Sequence, residues 1–535
     1  MAKGFRPVLR DQPFLLPPDM REWLPAGHLA WFVIDAVESL DVSRFAARVT
    51  ARGSVAGRAA YDPQMLLGLL VYGYAAGVRS SRRIERACTE DVAFRVICAQ
   101  DAPDHATVAR FRREHFADAA AMDDLFGQVL VLAARAGLGK LGLIALDGTK
   151  IAAAASREAN RGEAKLRELA REILAEAEAV DAAEDELYGE ARGDELPPEL
   201  ADPVTRRDRI RRAVADLEAE RKAAQQAQDA RVEEFRERQR SGRRTGRSAD
   251  GAAADLAREN LERVKASQQA KIEDWQARNA ASLAATGQPL RGRPPVPADQ
   301  HCRVRQAEGK LARAQRRAAA ATGKDSRKAA AGQGAGQVRN LTDPDSRLMP
   351  ARGGFIQGFN AQAQHSADGL CLAVMVTADS TDFASFAPMM AKAQAAQDLL
   401  RAHARGPLHR LRARIGILLA DAGYCSEANL DLPGPDRLIA TGKHRDLHKA
   451  ATPANGHGGD LALAMATRLA DGPGRAAYRQ RSPLAEGPFG NIKHNRGFRR
   501  FSMRGLARAN GEWAFQNTVT NLQKIHATRW QPATT

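Results

Sequence analysis

Through the first 135 positions apolar residues recur at helical spacing: Met65, Leu66, Leu69 and Leu70, then Ile84, Ala87 and Cys88, then Phe94, Ile97 and Cys98. That periodicity predicts an all-α N-terminal domain over residues 1–135. Past Pro103, Asp104 is a good N-cap for DHATVARFRREH, a short helix that carries Arg110, Arg112 and Arg113. An Arg-rich helix after a tight turn fits a helix-turn-helix-like DNA reader. It fits equally well a three-helix packing unit with a wet basic face.

The pattern then shortens. LGLIALDGTKIAA, within residues 136–156, is a brief apolar run holding one acid, Asp147, as a buried strand with a functional group at its end would. From 157 to 285 the chain is rich in Ala, Glu, Arg, Lys and Gln. Leu166, Ile173 and Val180 follow a heptad, with Leu169 and Ala177 between them, and Ile210, Val214, Leu217 and Ala224 form a second seam. These seams predict long antiparallel helices in a coiled-coil insertion, with SGRRTGRSADG at 241–251 as its tip. Residues 286–340 hold little to bury and read as a flexible basic linker. Within it, LRGRPPVP contains the Arg-Gly-Arg-Pro core of a minor-groove AT-hook, a weak signal in an Arg-rich chain.

Strand signals return over 341–535. GGFIQGFNAQAQHS and GLCLAVMVTADST are split by Ala-Asp-Gly at 367–369, a hairpin turn. RIGILLADAGY is a second apolar strand ending in an acid, Asp421, and DRLIATGK is a third. Residues 478–494 suit a helix carrying Glu486, and RGLARANGEWAFQNTVTNLQKI reads as an amphipathic helix near the end.

Charge narrows the partners. Lys and Arg number 80 against 64 Asp and Glu, a net +16 with a pI near 10.0, which favours a polyanion, most often nucleic acid. No apolar run is long enough for a spanning helix and no signal-peptide core follows MAKGFRPVLR, so a cytoplasmic protein without membrane partners is expected. The five cysteines are scattered, with no C-x-x-C pair, and read as reduced and structural.

One local feature stands out. In YRQRSPLAEGPFGNIKHNRGFRRF the single acid, Glu486, is ringed by Arg479, Arg481, Lys493, Arg499 and Arg500. Taken singly, Asp147 and Asp421 are ordinary turn or cap residues. Together with Glu486 they could form a carboxylate cluster, which bare anions would destabilise and divalent cations would hold. Two Mg²⁺ (or Mn²⁺) ions in such a cluster suit hydrolysis or transfer at a phosphodiester, with the basic neighbours as a DNA track. Asp343, Asp345, Asp379 and Asp382 compete for the ligand role but read as turn and cap formers. His365 and His494 show no zinc spacing, and Trp513 and Phe515 read as core.

Taken together, YDPQMLLGLLVYGYAAGVRSSRRIE, PDHATVARFRRE, ALDGTKIAA, NLTDPDSRLM, GFNAQ, LADAGYCS and YRQRSPLAEGPFGNIKHNRGFRRFSMRGL resemble the DDE transposases of bacterial insertion sequences. The resemblance implies an α/β ribonuclease H-like catalytic core, a mixed sheet interrupted by the helical insertion, beside the helical N-terminal domain. It implies Asp147, Asp421 and Glu486 as the catalytic and metal-binding triad, Arg481 and Lys493 as DNA contacts near it, and Asn360 and Gln362 lining the site. The partners it implies are double-stranded DNA, both element ends and target, and further copies of the chain in a homodimer or higher oligomer. The family's Val-Glu-Pro is Ala485-Glu486-Gly487 here, which keeps the carboxylate and loosens its backbone. A non-catalytic DNA-binding relic and a stand-alone metal-dependent nuclease are the alternatives.

Overall fold

A computed structural model describes residues 19–50, 60–162, 165, 168, 203–240, 253–330, 338–351, 354–442, 459–470 and 472–529. The chain divides into two compact units, one of 1–159, 342–454 and 460–535, the other of 160–341 and 455–459.

In the first unit the N-terminal helices are α1 Leu29–Glu38, α2 Ser43–Thr50, α3 Pro63–Ala75, α4 Ser81–Glu90, α5 Val92–Ile97, α6 His105–His115 and α7 Ala119–Arg135. Aspartates start four of them: the side chains of Asp62, Asp91, Asp104 and Asp118 accept hydrogen bonds from first-turn amides of α3, α5, α6 and α7.

The strands in chain order are β1 Leu143–Ala152, β2 Asn160–Gly162, β3 Val338–Asn340, β4 Arg347–Ala351, β5 Gly354–Ser366, β6 Cys371–Thr377, β7 Ile417–Ala420 and β8 Asp436–Ile439. All but β2 and β3 form one mixed sheet, ordered β4-β5-β1-β7-β8 with β6 also on β5. The β5–β1, β4–β5 and β5–β6 pairs are antiparallel; β1–β7 and β7–β8 are parallel. The hairpin expected at 367–369 joins β5 to β6, and Gly369 supplies its positive φ of 78°.

Two expectations change here. The C-terminal helix, Leu506–Arg529, was expected to be amphipathic, but its central turns are buried all round, Glu512, Gln516, Asn517 and Asn521 included. It packs against α7 and α3 on one side and β6 on the other, so no face is left for water. Its polar residues serve the edge of the sheet instead. Asn521 donates to the Cys371 carbonyl and accepts from its amide, and Asn510 accepts from the Val376 amide, which satisfies groups an edge strand would leave open. Nor do helices α1–α7 stand apart from the sheet: Val33, Leu69 and Val129 lie in one apolar core with Ile144, Phe359 and Trp513.

The second unit holds helices Pro203–Arg240, Ala253–Thr286 and Cys302–Ala330 and the antiparallel β2–β3 pair. The third helix falls where a flexible linker was expected. Its Val304 and Ala307 pack on Leu261, and Lys265 pairs with Glu308 at 2.9 Å. Ala, Arg, Lys and Gln are good helix formers even when few large apolar residues are present. The AT-hook-like segment is tied back at both ends, Leu290 to Asn279 and Val296 to Gln268, with Arg291 and Arg293 exposed. Leu166, Leu169, Ile173, Ala177, Val180 and the tip at 241–251 lie outside the described residues.

Candidate active site

Leu146 and Ala420 are partners in the parallel β1–β7 ladder, so the residues that follow lie side by side, Asp421 just past the end of β7 and Asp147 in the middle of β1 and not at its end as expected. Their local bonds are short-range: Asp147 accepts from the Gly148 amide, and Asp421 caps the turn at Ala422–Tyr424 by accepting from the Gly423 amide, both at 2.9 Å. Burial pushes the Asp147 carboxyl up to about 6; the Arg481 guanidinium opposes that rise and Asp421 adds to it. Asp421 is also raised, by burial first, again against Arg481.

The basic stretch lies over these strands. Helix Arg481–Gly490 packs on β1 and brings Arg481 to 3.2 Å from Asp147. Tyr478, buried just before it, donates to the Ala420 carbonyl at 3.1 Å, so the segment is fixed to the strand that ends in Asp421. Lys493 comes from a π-helical turn, Asn491–Asn495, and donates to the Lys150 carbonyl at 3.1 Å and to the Thr149 hydroxyl. Further on, the backbone of Arg499 to Phe501 pairs with Ala152 at the far end of β1. Arg479, Arg499 and Arg500 are exposed.

A group that sequence reasoning missed holds this basic loop. Arg79 donates to the carbonyls of Gly497 and Arg500 at 2.9 and 3.0 Å and lies over the Phe498 ring at 4.4 Å. Behind it the fully buried Glu512, 3.8 Å from Arg79, accepts from the Tyr74 hydroxyl and from the amide and hydroxyl of Ser502. Nothing local in the sequence marks Arg79 among so many arginines. Of the three arginines expected on α6 to meet DNA, Arg110 and Arg113 are exposed, whereas Arg112 is buried and donates to the Arg79 carbonyl. Arg112 is therefore a packing residue that supports the same loop.

The competing acids separate cleanly. Asp379 closes a turn with Thr377, and Asp343 and Asp345 accept from the amides of Gly505 and Leu506 at the start of the C-terminal helix. Asp382 is different: it accepts from Asn360 and Gln362 at 2.7 and 2.8 Å, pairs with Lys150 at 3.6 Å and sits beside Asp421. Asn360 and Gln362 thus serve the site from fully buried positions. His365 is a buried core residue, its imidazole pushed down to about 4 by desolvation and packed edge-on to Phe489; His494 is exposed and contacts Arg499.

Glu486 is not brought to the two aspartates. It is exposed and makes no hydrogen bond or ion pair among the described residues. Consistently, among the described residues no three His, Cys, Asp or Glu side chains are placed to hold a metal ion. The pair that is gathered fits half of the requirement: buried carboxylate oxygens, destabilised as anions by burial, are the hard donors that a divalent cation of the Mg²⁺ kind takes. Arg481 now supplies the positive charge there.

Among the described residues no helix is long and apolar enough to cross a membrane. No curated protein and no solved structure matches the chain. Two family models do: one described as Transposase domain (DUF772) over residues 18–114, and one described as Transposase DDE domain over residues 449–526. The second spans Tyr478, Arg481, Glu486 and Lys493, and neither spans Asp147 or Asp421. A match to a transposase domain toward one end and to a transposase DDE domain toward the other is consistent with the DDE transposases of insertion sequences that the motifs resemble.

Proposed function

We propose that this protein binds the terminal inverted repeats of its own insertion sequence and cuts and rejoins DNA strands by metal-dependent transesterification. The observation that carries the reading is the register of β1 and β7, which sets Asp147 beside Asp421 under Arg481 and Lys493. The sheet order, with β6, β5 and β1 antiparallel and β7 and β8 parallel to β1, supports a ribonuclease H-like core. The described helices Pro203–Arg240, Ala253–Thr286 and Cys302–Ala330 then belong to a coiled-coil-like insertion in that core, which serves either as a structural spacer or as an arm that pairs two copies of the chain on two element ends.

Asp147, Asp421 and Glu486 are the acids of this reading and would hold one or two Mg²⁺ or Mn²⁺ ions. The metal would supply a Lewis acid at the attacking hydroxyl and the leaving oxygen. Arg481 and Lys493 hold the phosphate flanking the cut, and Arg479, Arg499, Arg500, Arg110 and Arg113 track the backbone beyond it. Glu486 must turn inward to join the aspartates. It lies on the helix that bears Arg481, whose Ala485 and Phe489 are buried in the core, so the movement has to come from the Glu486 side chain and its local backbone beside Gly487.

The exposure of Glu486 favours one second reading, a DNA-binding relic that no longer cuts. Cleavage of a labelled duplex carrying the element's end, in Mg²⁺, separates the two. The wild type is expected to nick at the end, while Glu486→Gln binds equally well and leaves the strand intact. If both bind and neither cuts with any divalent metal, the relic reading replaces this one; cutting without transfer of the 3′-hydroxyl end to a target makes it a nuclease.

A further inference from the structure

We propose that Lys150 is a further DNA-phosphate contact inside the catalytic site, and that Asp382 is the residue that positions it. The inference rests on the transposase reading and extends it to residues outside the carboxylate triad. Along β1 successive side chains point to opposite faces. Asp147 and Thr149 face Arg481 and Lys493, whereas Gly148 and Lys150 face the other way, toward Asn360, Gln362 and Asp382. The aspartate pair therefore has cations on both sides.

Asp382 is wedged between mid-β1 and the turn that follows β7. A side-chain carbon added at Gly148 would lie 2.9 Å from one of its oxygens, and one added at Gly423 would lie 2.9 Å from the other and 3.0 Å from an Asp421 oxygen. Glycine at both positions is what admits this carboxylate beside Asp421, on the face of β1 opposite Asp147. The oxygen nearest Lys150 already accepts two amide hydrogen bonds, and the Gln362 amide is in turn held by the Tyr424 hydroxyl. Those donors satisfy Asp382 without the lysine.

At 3.6 Å the Lys150 ammonium is held by charge and not by a tight hydrogen bond. It is mostly buried, with 18% of its side chain exposed, and it faces Asp421 and Asp147 as well as Asp382. An ammonium so placed keeps donors for an anion arriving beside Asp147 and Asp421, and a phosphodiester is the anion this site would receive. A lysine suits that role because it acts as a point charge with rotatable donors.

The test is the salt dependence of binding by the full chain to a short duplex carrying its own end, with melting curves for each variant. Removing one phosphate contact reduces the slope of log K against log salt by about 0.9. Lys150→Gln is expected to show that reduction and Lys150→Arg to retain the wild-type slope; Lys150→Met serves if the Gln variant does not fold. Asp382→Asn is expected to keep the slope yet slow end cleavage tenfold or more at saturating DNA, a kcat effect without a KM effect. An unchanged slope in Lys150→Gln, with a reduced one in Arg481→Gln, makes Lys150 a mere counter-ion and overturns the inference while the transposase reading stands. No loss of kcat in Asp382→Asn removes its positioning role. If the wild type shows no salt-dependent binding, the transposase reading itself has failed.

Discussion

Replacing Asp147 by Asn should make the metal-free protein more stable, and increasingly so as pH rises. Burial holds the Asp147 carboxyl at about 6 against an ordinary 3.8, even with Arg481 at 3.2 Å. A folded value above the unfolded one means that ionisation opposes folding. The cost is absent below about pH 4, grows as pH rises toward 6 and is complete above about pH 7. At about 1.4 kcal/mol for each unit of pKa, it amounts to about 3 kcal/mol. Asparagine keeps the shape and removes the titration. Urea unfolding in chelator at pH 4, 5, 6, 7 and 8 measures the difference between variant and wild type, in which titrating groups remote from Asp147 cancel and Asp421, coupled to it, does not. The gap should be smallest at pH 4 and widen by about 2.5 kcal/mol by pH 8. A gap that stays flat with pH, or an Asn variant that loses ground as pH rises, would refute the claim that burial outweighs Arg481 at this carboxylate. Adding Mg²⁺ should then stabilise the wild type alone, by about 2.7 kcal/mol at a hundredfold excess over Kd.

Two further outcomes test how the helices hold the basic loop. An added side-chain carbon at Gly511 would meet the Phe116 backbone carbonyl, so Gly511→Ala should lower stability by about 2 kcal/mol in urea, although helix propensity alone predicts a gain of about 1. Glu512→Gln leaves Arg79 without its buried partner and should cost about 3 kcal/mol. The same variant should speed hydrogen exchange of the amides at 498–502; unchanged exchange would mean that the loop is held without this carboxylate.

The carboxylate pair was legible from the sequence because each aspartate follows a short apolar run, and such runs become neighbouring strands; that β1 continues past Asp147 to Ala152, placing this acid in mid-strand and not at the end as expected, was not. The N-caps, the hairpin at 367–369 and the helical N-terminal region were legible for the same kind of reason: turn, cap and periodicity signals act over a few residues. Asp382 was not, because it resembles its neighbour Asp379 in every local respect, and only the amides of β5 separate the two. Arg112 and Arg113 are adjacent arginines on one helix, yet one is buried under the Arg79 loop and the other is exposed.

The sequence by itself therefore determined most of the elements, though not helix Cys302–Ala330, the basic character of the chain and the aspartate after each apolar run, since propensity, periodicity and charge are local properties. The tertiary structure alone decided which face each cation serves, that the C-terminal helix is buried between the sheet and the N-terminal helices, and that Glu486 points outward while Asp382 points in. Those outcomes depend on contacts between residues hundreds of positions apart. Packing and desolvation, which no short window of sequence contains, set them.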